Sequence, residues 1–366
     1  MTTAYIATAD GLLVAEKITS GDATAAVRLQ NERVECVAAS PSAPDRVFVG
    51  TFDAGLWRST DAGETFERVD ESIESDAVTA LGISRHDPDT VWAGTEPSRI
   101  YRSTDGGQTW EHRGGLADLP SASRWSFPPR PDTHHVRWIE SAPVGRDTWY
   151  VGIEAGAFVV TRDGGETWHD RPPGARRDNH TIATHSDVPE RVYSAGGDGY
   201  AESDDAGRTW EQRHDGLEHR YCWGLAVDPG DPDTVVMSAA STARNAHRTG
   251  PSFLYRKRPS GSVENSGAGE ETDDGNGGDE WALLNTPELD TGESARRPVL
   301  ASGTEPGELY AACDGGLYRT VDAGNSWRVC DVPEACVSET ASGGKNTDVD
   351  WEKLLESGPV RALTIV

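Results

Sequence analysis

The sequence predicts an all-β protein, a seven-bladed β-propeller whose blades are four-stranded sheets. Three observations lead to this prediction. An eight-residue pattern suited to a tight turn occurs five times, a turn followed by a short strand precedes most copies, and strand-like segments at the two ends of the chain complete one further blade. Four short strands that recur about every 40 to 60 residues are typical of propeller blades.

The recurring pattern is Ser/Thr-x-Asp-x-Gly-x-Thr/Ser-Trp/Phe. Its aspartates are Asp61, Asp105, Asp163, Asp205 and Asp322. The aspartate and the preceding hydroxyl can bond backbone groups of the turn, the glycine permits a positive φ, and the aromatic ring can pack between blades. We therefore interpret all five aspartates as structural.

One unit of the repeat contains four strand segments. In the first unit they are residues 34–39, 46–51, 56–60 and 65–69, with the pattern around Asp61 between the last two. The interval between Asp205 and Asp322 is about twice as long as the others. We therefore expect one degenerate unit at residues 221–285, which brings the number of blades to six.

The seventh blade is predicted to form from both ends of the chain. Residues 359–366 match an innermost strand, and residues 5–8, 11–15 and 25–29 supply the other three. Pairing of these segments would close the ring and remove exposed sheet edges. We expect a single domain over residues 1–366, with an acidic, disordered insertion at 260–280 and a short helical insertion at 345–357.

The composition narrows the classes of function. The 366 residues carry 61 acidic and 34 basic side chains, a formal net charge of -27, which opposes binding to nucleic acid or an anionic membrane. Only four of the basic residues are lysine, and acidity with so little lysine resembles proteins of salt-accumulating archaea. No apolar stretch is long enough to span a membrane, and no signal peptide is evident. We expect a cytoplasmic protein, a monomer, with five free cysteines.

The eight-residue pattern resembles the Asp-box, or BNR repeat, of sialidases, sortilin-type receptors, some endoglucanases and photosystem II assembly factors. Five copies in register extend the resemblance over nearly the whole chain. It implies a β-propeller in which the boxes lie on turns between third and fourth strands, away from the functional site. Function is then expected at the opposite rim, where the loops that enter the innermost strands meet the loops between second and third strands.

Unusual polar residues concentrate in those rim loops. The candidate ligand-binding residues are His134, His135, Arg137, His180, His219, Arg220, Arg297 and Arg361. Arginines and histidines would make the channel mouth locally cationic, so we expect an anionic ligand: a small molecule, a sugar, or an acidic peptide or protein. The loops between second and third strands add the carboxylates Glu154 and Asp198.

These residues also have structural interpretations, which the sequence leaves open. His134 and His135 can bond loop backbone or a metal instead of a ligand, and Asp198 can simply form its glycine-rich turn. Arg297 and Arg361 can neutralise carboxylates, and Tyr221 can belong to the channel wall. The sequence assigns no residue to a metal or a cofactor.

Two main classes of function follow. The first is a module that binds a ligand or partner at the channel mouth and performs no chemistry. The second is a glycoside hydrolase; the resemblance to sialidases would make Tyr221 the nucleophile, Glu154 its activating base and Asp198 the proton donor. Sialidases, however, have six blades and a Phe/Tyr-Arg-Ile-Pro motif that this sequence lacks. We therefore favour binding, with hydrolysis as the alternative and a metal-dependent activity of another kind as the least favoured.

Overall fold

The computed structural model contains seven sheets around a central channel, and the strands of each four-stranded or three-stranded blade pair antiparallel. It describes residues 2–69, 71–247, 250–258, 280–289, 296–333, 335–337, 347–349, 354–355 and 358–366. In this part of the chain no helix is both long enough and apolar enough to traverse a bilayer.

The first three blades follow one another along the chain. Blade one contains β4 (Val34–Ser40), β5 (Ala43–Thr51), β6 (Leu56–Ser59) and β7 (Glu67–Arg68); blade two contains β8 (Val78–Ile83), β9 (Val91–Thr95), β10 (Ile100–Ser103) and β11 (Glu111–Arg113); blade three contains β12 (Val136–Ser141), β13 (Trp149–Ile153) and β14 (Ala157–Thr161). A single antiparallel bridge between Val160 and His169 takes the place of the fourth strand in blade three. The loop before β12 carries two short 3₁₀ helices, Leu116–Asp118 and Ala122–Arg124.

The next three sheets repeat the same order. Blade four contains β15 (Asn179–Thr184), β16 (Val192–Gly196), β17 (Gly199–Ser203) and β18 (Glu211–Gln212); blade five contains β19 (Tyr221–Asp228), β20 (Asp231–Ala240), β21 (Ser252–Arg258) and β22 (Glu280–Leu283); blade six contains β23 (Val299–Ser302), β24 (Leu309–Cys313), β25 (Gly316–Thr320) and β26 (Arg328–Val329). A short helix, α1 (Ala243–His247), lies between β20 and β21. Blade five is the degenerate unit that the long interval predicts.

The seventh blade combines both ends of the chain, as the sequence predicts. Its four strands are β29 (Ala362–Ile365), β1 (Thr3–Thr8), β2 (Gly11–Glu16) and β3 (Thr24–Arg28), and β29 pairs antiparallel with β1. The sheet then continues outward through β27 (Ala335–Val337), which runs parallel to β3, and β28 (Thr347–Val349). The innermost strands contact one another in succession, and β29 contacts β4. The ring is therefore closed, and the seven-bladed propeller is confirmed.

All five Asp-boxes form the same hydrogen-bonded turn. In the second, Asp105 accepts hydrogen bonds from the Ser103 hydroxyl (2.8 Å), the Thr109 amide (2.9 Å) and the Thr109 hydroxyl (2.6 Å). The amide of Gly107 donates to the Ser103 hydroxyl, and Gly107 has a φ of 79°. The bonds made by the aspartate and the hydroxyl lie within seven residues, and the Gly106 amide donates to the Asp89 carbonyl (2.9 Å) of the preceding hairpin.

The aromatic residue that ends a box packs against the preceding blade. Trp110 meets Phe48 edge-on at 6.3 Å, and Trp210 meets Phe158 edge-on at 4.7 Å. Edge-to-face contacts of this kind stabilise the interface between sheets beyond the area they bury. The boxes therefore lie between third and fourth strands and hold neighbouring blades together.

Two predicted insertions lie mostly outside the described residues. Of the acidic segment at 260–280, the structure describes residue 280 alone, which begins β22. Of the helical segment at 345–357, it describes residues 347–349 as a strand and residues 354–355 as helical and buried. Among the described cysteines, Cys36, Cys222 and Cys330 are free thiols.

Candidate functional site

β-Bulges near the start of the innermost strands direct side chains into the channel. Pairing with the second strand is irregular in five blades, and the residues within the bulges are Glu35, Thr79, Arg137, His180 and the Trp223–Gly224 pair. A bulge inserts an extra residue and turns a side chain that regular alternation would point elsewhere. Arg297 and Arg361 occupy the corresponding positions just before β23 and β29. Each blade thus contributes at least one residue to a ring near the channel mouth.

Two cavities occupy the channel and meet at this ring. The mouth cavity, of about 80 Å³, is lined by charged and aromatic residues from the entry loops and from the loops between second and third strands. A larger chamber of about 380 Å³ extends from the ring to the opposite face between the innermost strands. Both are lined by Arg137, Trp223 and Arg361, so these three side chains separate the polar mouth from the chamber.

Glu154 is the buried carboxylate of the mouth cavity. It follows β13, and only 6% of its side chain is exposed. Its Oε2 accepts a hydrogen bond from Nε2 of His135 (2.9 Å) and lies 3.6 Å from Nε of Arg137. Burial alone would raise the pKa of Glu154, but the His135 hydrogen bond and electrostatic interactions with His135, His180 and Arg137 hold that pKa well below its usual range. Glu154 is therefore ionised.

His180 lies beside Glu154 and is fully buried. Its Nδ1 is 2.7 Å from the carbonyl oxygen of Cys222, and because a carbonyl only accepts, Nδ1 carries the proton. Its Nε2 has no hydrogen-bond partner and faces Oδ1 of Asp178 (3.6 Å) and Oε1 of Glu154 (3.9 Å). The rings of Tyr221 and Trp223, with centroids 5.1 and 4.1 Å away, fix the imidazole plane.

Asp178 completes this group. Its Oδ1 accepts a hydrogen bond from the backbone amide of Ala155 (2.8 Å). Burial raises the pKa of the Asp178 carboxyl; His180 opposes the increase and Glu154 adds to it. The pKa values of two neighbouring carboxyl groups are thus moved in opposite directions by their surroundings.

Three arginines, Arg137, Arg297 and Arg361, line the mouth cavity together with Trp223. The guanidinium of Arg297 stacks on the ring at 3.5 Å, and that of Arg137 lies 5.1 Å from it. Arg297 is 3% exposed, and burial together with the charges of Arg137 and Arg361 lowers its pKa to about 9. Its Nη1 donates to the carbonyl oxygen of Ala246, whereas its Nε has no partner. The concentration of positive charge is therefore built into the mouth.

The other charged residues of the mouth are paired. Arg130 donates two hydrogen bonds, of 2.7 and 2.5 Å, to the carboxylate of Glu96, and Arg33 contacts Glu35 at 2.7 Å. Arg361 lies 3.6 Å from Glu35. Arg297 differs from them, since no ion pair with a carboxylate is found for it within the described ranges.

The structure brings together most, but not all, of the residues that the sequence singled out. His135, Arg137, Glu154, Arg297 and Arg361 line the mouth cavity, and His180 and Tyr221 adjoin it. Burial raises the pKa of Tyr221, whose hydroxyl lies 3.0 Å from Nε2 of His247.

Four other predicted residues lie apart from the cavity. His134 packs edge-on against Trp125, and His219 stacks on Phe253 at 3.6 Å. Arg220 is exposed and donates to the Leu217 carbonyl of its own loop (3.5 Å), while Asp198 is exposed and accepts from the Arg177 amide (3.3 Å). The entry loops are long enough for some of their side chains to turn outward, which sequence position does not reveal.

Sequence reasoning missed several residues of the mouth. It did not select Phe52, Phe127, Arg130 or Trp223, all of which line the cavity. One signal could have identified Trp223: it lies near the start of an innermost strand, at the position equivalent to Arg137 in blade three and His180 in blade four.

Comparisons with known proteins agree with the fold. Residues 54–170 match the Sortilin-Vps10 family model, described as sortilin, neurotensin receptor 3. No curated protein sequence matches the chain significantly.

Solved structures of three propellers resemble it. The GH74 enzyme of Niastella koreensis superposes with a TM-score of 0.64 at 17% identity, over 89% of this chain and 52% of that one. An ancestral GH74 enzyme gives 0.57 at 14% identity, over 91% and 38%, and YCF48 bound to D1 peptide gives 0.54 at 17% identity, over 83% and 84%. The chain thus spans less than two thirds of either GH74 protein, and identities this low establish the fold alone. Together with the five Asp-boxes and the closed ring of seven blades, these matches show that the chain is a seven-bladed β-propeller, part of which, residues 54–170, is similar to the Sortilin-Vps10 family.

Proposed function

We propose that this propeller is a binding module whose channel mouth holds an anionic group of its ligand against Arg297. The observation that carries the proposal is a guanidinium that is 3% exposed, has an unpartnered Nε, and lies next to two further arginines. Burying a charge without an opposite charge is costly. An anion bound here would supply the missing partner.

The neighbouring arginines strengthen the proposal. Mutual repulsion with Arg137 and Arg361 contributes to the lowered pKa of Arg297, and an incoming carboxylate would relieve that repulsion for all three groups. A guanidinium offers paired N–H donors that match a carboxylate or phosphate. Trp223 holds the Arg297 fork in one orientation, which reduces the entropy lost on binding.

The size of the mouth limits what can enter. A cavity of about 80 Å³ accommodates one anionic headgroup, and the rest of the ligand must lie across the rim. The rim offers partly exposed groups that the rest of the ligand could contact: the Arg130 guanidinium lies 4.8 Å from the Phe127 ring and 4.9 Å from the Phe52 ring. An acidic peptide side chain or a carboxylated sugar fits this description. The similar fold of YCF48, which was solved with a D1 peptide, supports testing peptides first.

The test is calorimetric titration of the chelator-treated full chain with acetyl-tetraglutamate amide, acetyl-tetraglutamine amide and N-acetylneuraminic acid. We expect saturable binding of an acidic probe and none of the neutral peptide. Arg297→Ala should weaken binding more than about tenfold, as expected when a charged hydrogen-bond partner is lost.

Arg296→Ala is the matched control. It removes the same charge from the adjacent position, but the Arg296 side chain pairs with Asp314 at 3.2 Å. We expect an affinity within about twofold of the unaltered protein. Equal binding of acidic and neutral peptides, or equal losses in the two variants, would show that Arg297 is not the anion site.

A second candidate function, glycoside hydrolysis, has one specific observation in its favour. Oxygens of Glu154 and Asp178 lie within 4.8 Å of each other, near the separation of about 5 to 5.5 Å found between the two carboxyl groups of retaining glycosidases. The fold similarity to GH74 enzymes points in the same direction without establishing an activity. In this geometry Asp178, not the exposed Asp198, is the partner of Glu154.

A panel of chromogenic glycosides tests this candidate. Hydrolysis that is abolished by Glu154→Gln and by Asp178→Asn, but kept by Asp198→Asn, would support it. Turnover that persists in both carboxylate variants would exclude this pair as the catalytic residues.

A further inference from the structure

We infer that Glu154, Asp178 and His180 form a binding site for a divalent first-row transition metal ion, separate from the Arg297 anion site. One ligand atom from each residue lies within 4.8 Å of the other two. Two carboxylate oxygens and one imidazole nitrogen form a donor set that suits Zn²⁺, Co²⁺ or Mn²⁺.

The tautomer of His180 provides the first argument. Its Nδ1–H is committed to the Cys222 carbonyl at 2.7 Å, so in the neutral ring Nε2 bears a lone pair. That nitrogen is fully buried, has no hydrogen-bond partner, and points between the two carboxylates. A buried acceptor aimed at two other acceptors requires a positive species between them.

All three ligand residues are held by other groups, which is the second argument. His135 donates to Oε2 of Glu154, which leaves Oε1 directed toward His180. The Ala155 amide donates to Asp178, and the Cys222 carbonyl orients His180. Metal ligands in proteins are characteristically fixed in this way by a second layer of hydrogen bonds.

Charge balance is the third argument. Two carboxylates would neutralise a divalent cation, and Arg137 approaches the other oxygen of Glu154 at 3.6 Å. The proposed metal site and the arginine-rich anion site therefore face different oxygens of Glu154. The alternative is a protonated His180 that bridges the two carboxylates, which would need no metal.

The sequence predicts no metal site because the three ligands come from two blades. Glu154 lies in a loop of blade three, whereas Asp178 and His180 flank the start of β15 in blade four. Their spacing matches no short metal-binding motif, so only the three-dimensional structure brings them together.

The experiment is titration of the chelator-stripped full chain with Zn²⁺ by calorimetry and with Co²⁺ by visible absorption, in buffer that contains an excess of Ca²⁺. Because the histidine nitrogen disfavours Ca²⁺, excess Ca²⁺ should occupy surface carboxylates without competing here. We expect one equivalent of Zn²⁺ and a Co²⁺ spectrum that reports nitrogen coordination.

Two histidine variants decide the outcome. His180→Gln should lower Zn²⁺ affinity more than about tenfold, since changes even to groups behind the ligands cost that much. His185→Gln is the control: His185 is also buried and lies just beyond the same strand, but its Nε2 contacts the Pro229 carbonyl at 3.0 Å. The control should bind Zn²⁺ as the unaltered protein does.

Asp178→Asn provides a second variant should His180→Gln fail to fold, and it should also weaken binding more than about tenfold. Absence of stoichiometric Zn²⁺ binding, or equal affinities in the two histidine variants, would overturn the proposal in favour of the protonated bridge. The peptide titrations use chelator-treated, metal-free protein, so a failure of the metal site and a failure of the anion site are distinguishable.

Discussion

Closure of the ring can be tested at one leucine. Leu363 lies in β29, opposite Ile6 of β1, and is 9% exposed. It packs in the cluster that joins the two chain ends to blade six through residues such as Val299. If β29 did not pair with β1, Leu363 would lie in an exposed tail, and its replacement would have little effect.

The size of the effect follows from this burial. Leu→Ala substitutions in cores cost about 2 to 5 kcal/mol of unfolding free energy. Because Leu363 also borders the open chamber of the channel, we expect the lower part of that range, about 2 to 3 kcal/mol. With an unfolding entropy of roughly 2.1 cal/mol/K per residue, a chain of 366 residues should lose about 3 to 4 °C in Tm.

Leu283→Ala is the matched control, because Leu283 is 55% exposed in the outermost strand of blade five. Both variants remove the same atoms and leave the net charge unchanged, so salt effects cancel in the comparison. Denaturant titration and thermal melts in one buffer provide the measurement. A Leu363→Ala protein as stable as Leu283→Ala would refute the assignment of β29 to the seventh blade.

Four further predictions concern the chain end, one Asp-box and the channel. Deleting residues 360–366 should expose the edge of β1 and give an insoluble or strongly destabilised protein; a truncated chain that melts like the intact one would contradict this. Asp105→Ala should cost roughly 1 to 3 kcal/mol of unfolding free energy without changing peptide affinity, and loss of binding by a folded protein would show that the box is functional. Burial opposes the change, but hydrogen bonds lower the pKa of Asp105 from 3.8 to about 2. The charged form of Asp105 therefore stabilises the fold above pH 3.8, and this contribution should disappear as the pH falls through 2. Acid unfolding of Asp105→Asn beside the unaltered protein would measure the loss. Gly94→Ala would place a Cβ 2.5 Å from Cγ1 of Val136, so it should destabilise the protein by about 1 to 3 kcal/mol. By displacing the neighbouring Arg137, it should also weaken acidic peptide binding. Unchanged stability and affinity would refute this connection between Gly94 and the mouth.

The fold was predictable from the sequence because its defining contacts are local. In each box, the aspartate, the hydroxyl and the glycine that form the turn lie within eight residues. The closing blade was also predictable, since strand-like segments at the chain ends had no other partners in the repeat. The box turns are encoded within a short window, whereas the closing blade pairs the two ends of the chain and was predicted from the strand segments that the repeat left over.

The candidate site was predictable only in part because β-bulges determine it. Strict alternation places every second side chain on one face of a strand, and a bulge shifts this alternation by one residue. Glu35 and Thr79 reach the channel for this reason, although the surrounding residues give no sign of it. The outward packing of His219 on Phe253 likewise depends on a contact between different parts of blade five.

The net charge of -27 determines how an anion could reach Arg297. At long range the field of such a protein repels anions, and the repulsion extends over a Debye length of about 8 Å at physiological salt and about 3 Å at 1 M. Inside the mouth, the buried guanidinium is screened much less by salt, and the lower local dielectric constant makes its attraction for an anion at hydrogen-bonding distance stronger than it would be in water. A polyanion must bring many charges through the repulsive field, whereas a single carboxylate brings one. The same arrangement that disfavours nucleic acid therefore still permits selective capture of one anionic group, provided that the ligand gains most of its binding energy from direct contacts in the mouth.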